Sequence, residues 1–114
     1  MESYIAVGAL GALAQEARLT IFRMLVQAGP GGLRVGAIGK ALEIPPATLS
    51  FHLAQLQHAG LVTARRKGRE MIQVAAFERM NELLAYLTKN CCGEDLQACA
   101  PIVCKPTPRR RKKP

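Results

Sequence analysis

The run over residues 44–62 constrains this chain more than any other part of it. Leu49, Leu53 and Leu56 recur there at i, i+4 and i+7, which is one stripe of an α-helix. Pro46 suits the first helical position, where its missing N–H costs nothing. Gly60 suits the left-handed position just past a helix end. Thr48, Phe51, Gln55 and His58 fall on the other faces of this predicted helix and stay available. A helix held by so narrow an apolar stripe is either an ordinary amphipathic surface helix or one that offers its polar face to a groove. The residues after Gly60 favour the groove.

Two strand-like runs, 61–65 and 71–75, flank Arg66, Lys67, Gly68, Arg69 and Glu70. Strand, glycine-bearing turn, strand is a hairpin signal. Its tip carries Arg65, Arg66, Lys67 and Arg69, which make a poor core and a good clamp for phosphates. The alternative is a solvated turn whose charges serve solubility. Upstream, Val35, Ile38 and Leu42 at i, i+3 and i+7 predict a short helix ending before Pro45. Short helix, turn, second helix, basic hairpin is the order of a winged helix-turn-helix. The predicted fold is therefore mainly α with a small β-hairpin wing. The expected DNA contacts are Ala47, Thr48, Ser50, Phe51, His52 and Gln55 on the helix and Arg65, Arg66, Lys67 and Arg69 on the hairpin. His52 either touches DNA or supports the helix from behind.

The segment 14–76 resembles the ArsR/SmtB family of bacterial metal-responsive repressors. The resemblance rests on Arg18-Leu19-Thr20-Ile21-Phe22 with Leu25, on Thr48-Leu49-Ser50-Phe51-His52-Leu53 with Leu56, on Ala59-Gly60-Leu61-Val62 and on Arg66-Lys67-Gly68-Arg69. It implies a homodimer that binds double-stranded operator DNA and releases it when an inducer binds. It also implies that the first and last helices form the dimer interface. Residues 4–14 fit that place, being mostly small and apolar, with Gly8 and Gly11 allowing close approach of another helix. So do residues 77–90, where Phe77, Met80, Leu84 and Leu87 form a stripe with Leu83 beside it, although such a stripe can also be intramolecular core.

All four cysteines lie within 91–104, just beyond that last helix. Cys91 and Cys92 are adjacent, Gly93 can end the helix, and Cys99 and Cys104 come later in a proline-containing stretch. Thiolates are soft ligands that suit thiophilic ions. Trivalent arsenic and antimony take three sulfur ligands in a pyramid. Neighbouring residues of a helix point about 100° apart, so the helix must open near Cys91 for both thiols to converge. Several arsenic repressors of the family carry a Cys-Cys pair after the last helix plus a later cysteine. The resemblance thus implies As(III) or Sb(III) as inducer at Cys91, Cys92 and Cys99, with Cys104 as the alternative third ligand. Packing explains the cluster less well, although Cys91 and Cys92 could simply be small buried residues.

Departures from the family narrow this further. One branch binds arsenic through Leu-Cys-Val-Cys-Asp-Leu, and the matching stretch here is Leu33-Arg34-Val35-Gly36-Ala37-Ile38, without either cysteine. Another binds zinc between paired last helices through Asp, His and Glu, but the last helix here has no histidine. The only histidines, His52 and His58, are six apart on different faces and make no convincing metal pair. No paired-carboxylate signature, phosphate loop or Cys–His dyad is legible, so no enzyme and no permanent cofactor are expected. A redox or reactive-sulfur sensing repressor of the same fold is the main alternative. A thiol-rich metal-binding protein without an operator comes next, and a small arsenate reductase is remote.

The 114 residues allow one domain, and 49% apolar content supports a folded one. A chain this small buries a limited core, so dimerisation would help it. Residues 105–114 hold six cations and no acid, which leaves only +2 of the +8 net charge for the rest. That tail reads as disordered and serves either sequence-independent DNA affinity or solubility. The expected organisation is a DNA-binding and dimerisation domain over 1–90, an inducer segment over 91–104 and the basic tail over 105–114. No apolar run is long enough to cross a membrane and no secretion signal is legible. The cytoplasm of a bacterium is therefore the expected location, where cysteines serve as thiols or metal ligands more often than as disulfides.

Overall fold

The computed structural model describes residues 1–94, the side chains of Cys92 and Glu94 excepted. Helices α1 (Ser3–Leu13) and α2 (Glu16–Ala28) come first, then the two-residue strand β1 (Leu33–Arg34) and α3 (Val35–Leu42). Helix α4 (Pro46–His58), strands β2 (Val62–Lys67) and β3 (Glu70–Ala75) and helix α5 (Phe77–Leu87) complete the order, with short 3-10 turns at Gly29–Gly31 and Cys91–Glu94. The strands form one antiparallel sheet in the order β1-β3-β2. This is the winged helix-turn-helix that the hydrophobic spacing predicts.

The core gathers the leucine stripe of α4 with Ile21, Phe22 and Leu25 of α2, Ile38 of α3, Leu61, Val62, Ala75 and Leu83 of α5. Leu49, Leu53 and Leu56 are all buried, and each contributes about 1.5–3 kcal/mol of burial free energy. Helix α4 begins at Pro46 and ends in a full Schellman arrangement. The Leu61 amide donates to the Leu56 carbonyl at 3.0 Å and the Gly60 amide to the Gln57 carbonyl at 2.9 Å. Gly60 supplies the required positive φ of 79°. Helix α4 therefore stops within a few residues of strand β2.

Strand β1 escapes the sequence reading because two residues carry no readable period. It pairs Leu33 with Gln73 and Arg34 with Ile72. Gly32 makes that pairing possible. Its φ is +69°, and a Cβ there would strike the Gln73 carbonyl and approach the Val74 and Ile72 side chains to 2.8 and 2.9 Å. The third strand ties the start of the helix-turn-helix to the wing.

The last helix is shorter than its pattern suggests. It stops at Leu87, and Gly93 plays no part in ending it. Thr88 turns its hydroxyl back to the Leu84 carbonyl at 2.8 Å. Asn90 then adopts a left-handed φ of 57°, which asparagine tolerates better than most residues. Within the stripe it is Leu83 that is buried, with Phe77 and Met80 packed at the core margin, while Leu84 and Leu87 are exposed. Helix α1 likewise buries only Ala6 and Ala9 and leaves Tyr4, Val7 and Leu10 outside.

Candidate nucleic-acid interface

On α4, Ala47, Thr48, Ser50, Phe51 and Gln55 are exposed. Phe51 is 57% exposed, large for an aromatic side chain with no apolar cover. A short polar face with one aromatic ring can meet base edges by hydrogen bonds and a thymine methyl by contact. His52 differs from its neighbours. At 8% exposure it lies on the inner side of the helix, so it is unavailable to a base. Its Nδ1 sits 3.4 Å from Nη1 of Arg18. The same guanidinium donates through Nε to the Ala12 carbonyl at 2.7 Å. Arg18 thereby joins the end of α1, the start of α2 and α4, and the supporting role is the one this geometry gives His52.

A second polar bond holds the helix to the wing. Gln57 Nε2 donates to Gln73 Oε1 at 2.8 Å, and Gln73 is only 3% exposed. Nothing in the sequence marked this pair, because a lone glutamine in a strand reads as a solvent-facing residue.

The hairpin pairs Arg65 with Ile72, Arg66 with Met71 and Lys67 with Glu70. Strand β2 thus runs two residues and β3 one residue further into the tip than the sequence suggests, and the turn is Gly68-Arg69. Arg65, Arg66, Lys67 and Arg69 are all exposed. Directly paired residues share a face, so the register separates these cations. Arg65 and Lys67 lie on one face with Ile72 and Glu70, and Arg66 lies on the other with Met71. Arg34 pairs with Ile72 and so belongs to the Arg65 face. Its Nη1 meets Glu70 Oε2 at 2.9 Å. The hydrogen bond to Glu70, then its charge, raise the Arg34 guanidinium above its ordinary value, so it stays cationic throughout the working range. Arg65 Nη2 reaches the Gly31 carbonyl at 3.3 Å, bracing the wing against the loop before β1.

The cysteine site lies largely beyond this frame. Cys99, Cys104 and the Cys92 side chain are outside the described residues. Cys91 opens the 3-10 turn after α5, and its amide donates to the Thr88 carbonyl at 3.0 Å. Helix α5 has therefore ended before the Cys91-Cys92 pair, as convergence of two adjacent thiols requires. Cys91 takes part in a disulfide, where the expected cytoplasmic location predicts thiols or metal ligands. Among the described residues no group of three or more His, Cys, Asp or Glu side chains could hold a metal ion. No single helix among them is long and apolar enough to cross a membrane.

Comparison with known proteins matches residues 13–65 to a helix-turn-helix domain family. The transcriptional activator HlyU of Vibrio cholerae is 32% identical over 87 residues, 76% of this chain and 78% of HlyU. Its structure superposes with a TM-score of 0.61 at 36% identity, covering 76% of this chain and 97% of that one. HlyU solved in a reduced form gives a TM-score of 0.59, covering 76% of this chain and 92% of that one. A Halobacterium salinarum protein named for repression of an arsenical resistance operon, ArsR, is 43% identical over 63 residues, 55% of this chain and 48% of that protein. The homodimeric winged helix-turn-helix DNA-binding domain of Mycobacterium bovis Mb0332 superposes with a TM-score of 0.60 at 31% identity, covering 75% of this chain and 80% of that one.

Proposed function

From a chain that belongs to the ArsR family of winged helix-turn-helix transcriptional regulators, we propose a homodimeric repressor that binds operator DNA and lets go when its C-terminal cysteines take up trivalent arsenic or antimony. One observation carries the DNA part: an exposed polar face on α4 stands beside a wing whose cations are all exposed. A basic hairpin supplies affinity for any duplex, and the helix face supplies sequence choice. Two-fold symmetry of the dimer calls for an imperfect inverted repeat, with the two recognition helices about one turn of DNA apart.

The dimer reading rests on apolar surface. Tyr4 is 75% and Val7 65% exposed on α1, and Leu84, Tyr86 and Leu87 are exposed on α5. A Cβ on Gly8 or Gly11 would meet nothing within 4 Å, so that flank of α1 is open to a neighbouring helix. Exposed apolar surface of this extent on a small domain marks an interaction site. The homodimeric state of the Mycobacterium bovis domain supports the same arrangement.

The inducer reading rests on thiol chemistry. Cys91, Cys92 and Cys99 supply three sulfurs beyond a helix that has already ended, with Cys104 as the alternative third. The turn is anchored to α5 through the Cys91 amide and the Thr88 carbonyl. Gathering three thiols around one ion pulls on that anchor, hence on α5 and the proposed interface. Small changes there alter the tilt and spacing of the recognition helices. The Halobacterium protein's name supports arsenic as the signal.

One observation favours a second reading, in which the cysteines sense oxidants or reactive sulfur: Cys91 is in a disulfide. A relative solved in a reduced form points the same way. One experiment separates the two. The reduced protein, bound to its operator, is titrated with arsenite and, separately, with a disulfide-forming oxidant. Release by arsenite under reducing conditions, with three thiols protected per subunit, is the expected result. Release by oxidant alone, with two thiols lost, would replace the arsenic reading by the redox one.

A further inference from the structure

We propose that Arg34 is a further DNA-phosphate ligand, held in the free protein by Glu70 and released to the backbone when the wing docks; this rests on the DNA-binding reading above. The register puts Arg34, Arg65 and Lys67 on one face of the sheet. Arg34 and Glu70 are diagonal neighbours there, since Arg34 pairs with Ile72, two residues along β3 from Glu70. Their ion pair is open to solvent, with the two side chains 61% and 51% exposed. Arg34, Lys67, Gly68, Arg69, Glu70 and Ile72 line one shallow concavity of about 780 Å³ beside the wing tip. Three cations thus surround a single carboxylate.

The electrostatics of that concavity follow from charge alone. A phosphate drawn in by Lys67 and Arg69 comes up against Glu70, which repels it. Arg34 is already at that carboxylate and needs only to turn its guanidinium to take the phosphate instead. Exposed ion pairs exchange partners at little cost. Arginine's planar fork also suits a phosphate at least as well as a carboxylate. Glu70 accordingly acts as an internal competitor that moderates sequence-independent binding.

The test uses the full chain and a mixed-sequence 30-base-pair duplex, with affinity measured by fluorescence anisotropy over a range of salt concentrations. The informative pair is Glu70→Gln against Glu70→Gln/Arg34→Ala, because Glu70 is absent from both and cannot mask the result. The salt slope should fall by about 0.9 per bound subunit when Arg34 is removed. Glu70→Gln/Arg34→Lys should keep the slope, which separates charge from any structural role of Arg34 in the edge strand. Equal slopes for Glu70→Gln and its Arg34→Ala double variant would overturn the proposal. If the wild-type chain itself shows no salt-dependent binding, the DNA-binding reading falls instead.

Discussion

Gln57 of the recognition helix donates a hydrogen bond of 2.8 Å to the buried side chain of Gln73 in the central wing strand. The bond joins the two elements that the proposed function brings to DNA together, one in a groove and one on the backbone. Truncating Gln57 to alanine leaves the Gln73 oxygen buried without its donor. The expected cost is about 1–3 kcal/mol of stability. Urea denaturation of Gln57→Ala measures it, and a change below the error of the fit would mean water replaces the donor freely.

Removing Arg66 and Arg69 together should weaken binding to every duplex and lower the salt slope by about 1.8 per bound subunit, if each meets one phosphate. Both side chains are exposed at the tip of the wing, so the fold should persist. A salt titration reads the slope, and an unchanged value would remove the wing from the interface.

Gly32→Ala should loosen the sheet. The substituted residue would sit at a positive φ and drive its Cβ into the Gln73 carbonyl. The backbone strain alone costs on the order of 1–3 kcal/mol, because φ +69° with ψ −168° is a region kept essentially to glycine, and the clash adds to it. Hydrogen exchange at the amides of β1 and β3 should show the loss locally. Full protection there would mean the loop shifts without cost.

Serine at Cys91 or Cys92 should give a protein that binds its operator and no longer releases it with arsenite. Typical coupling between two sites is about 1–3 kcal/mol, or roughly 5–150-fold in affinity, which suffices to switch a promoter. Cys99→Ser should behave alike and Cys104→Ser should have the milder effect. Operator release by all of the Cys91, Cys92 and Cys99 variants at the wild-type arsenite concentration would rule out a three-thiol switch.

Alanine at Arg18 should act at a distance from DNA. Its guanidinium links the Ala12 carbonyl to His52 behind the recognition helix. Without it the helix loses a support but none of its exposed face. Sequence-selective affinity should fall while the salt slope stays, because no phosphate contact is removed. A changed slope would place Arg18 on the DNA instead.

Local patterns already determined helices α3 and α4, the hairpin wing and their order, whereas α2 was covered only by the family resemblance. Leu49, Leu53 and Leu56 could serve only as one buried stripe, and Gly60 could serve best as a left-handed helix stop. Such features depend on residues a few positions apart, so the chain states them directly. Tertiary structure alone decided which cations share a face, because strand register joins Arg34 to Arg65 across about thirty positions. His52 stands three residues after Leu49 and four before Leu56, so its spacing already places it on the leucine stripe, and what tertiary structure alone decided is its partner, Arg18. Tertiary structure also decided that Leu83 is core while Leu84 and Leu87 are left outside, since a stripe wider than the site it packs against must leave part of itself exposed. The Gln57–Gln73 bond and the two-residue strand β1 belong with these. Each depends on a pairing between distant segments, and no local period records such a pairing.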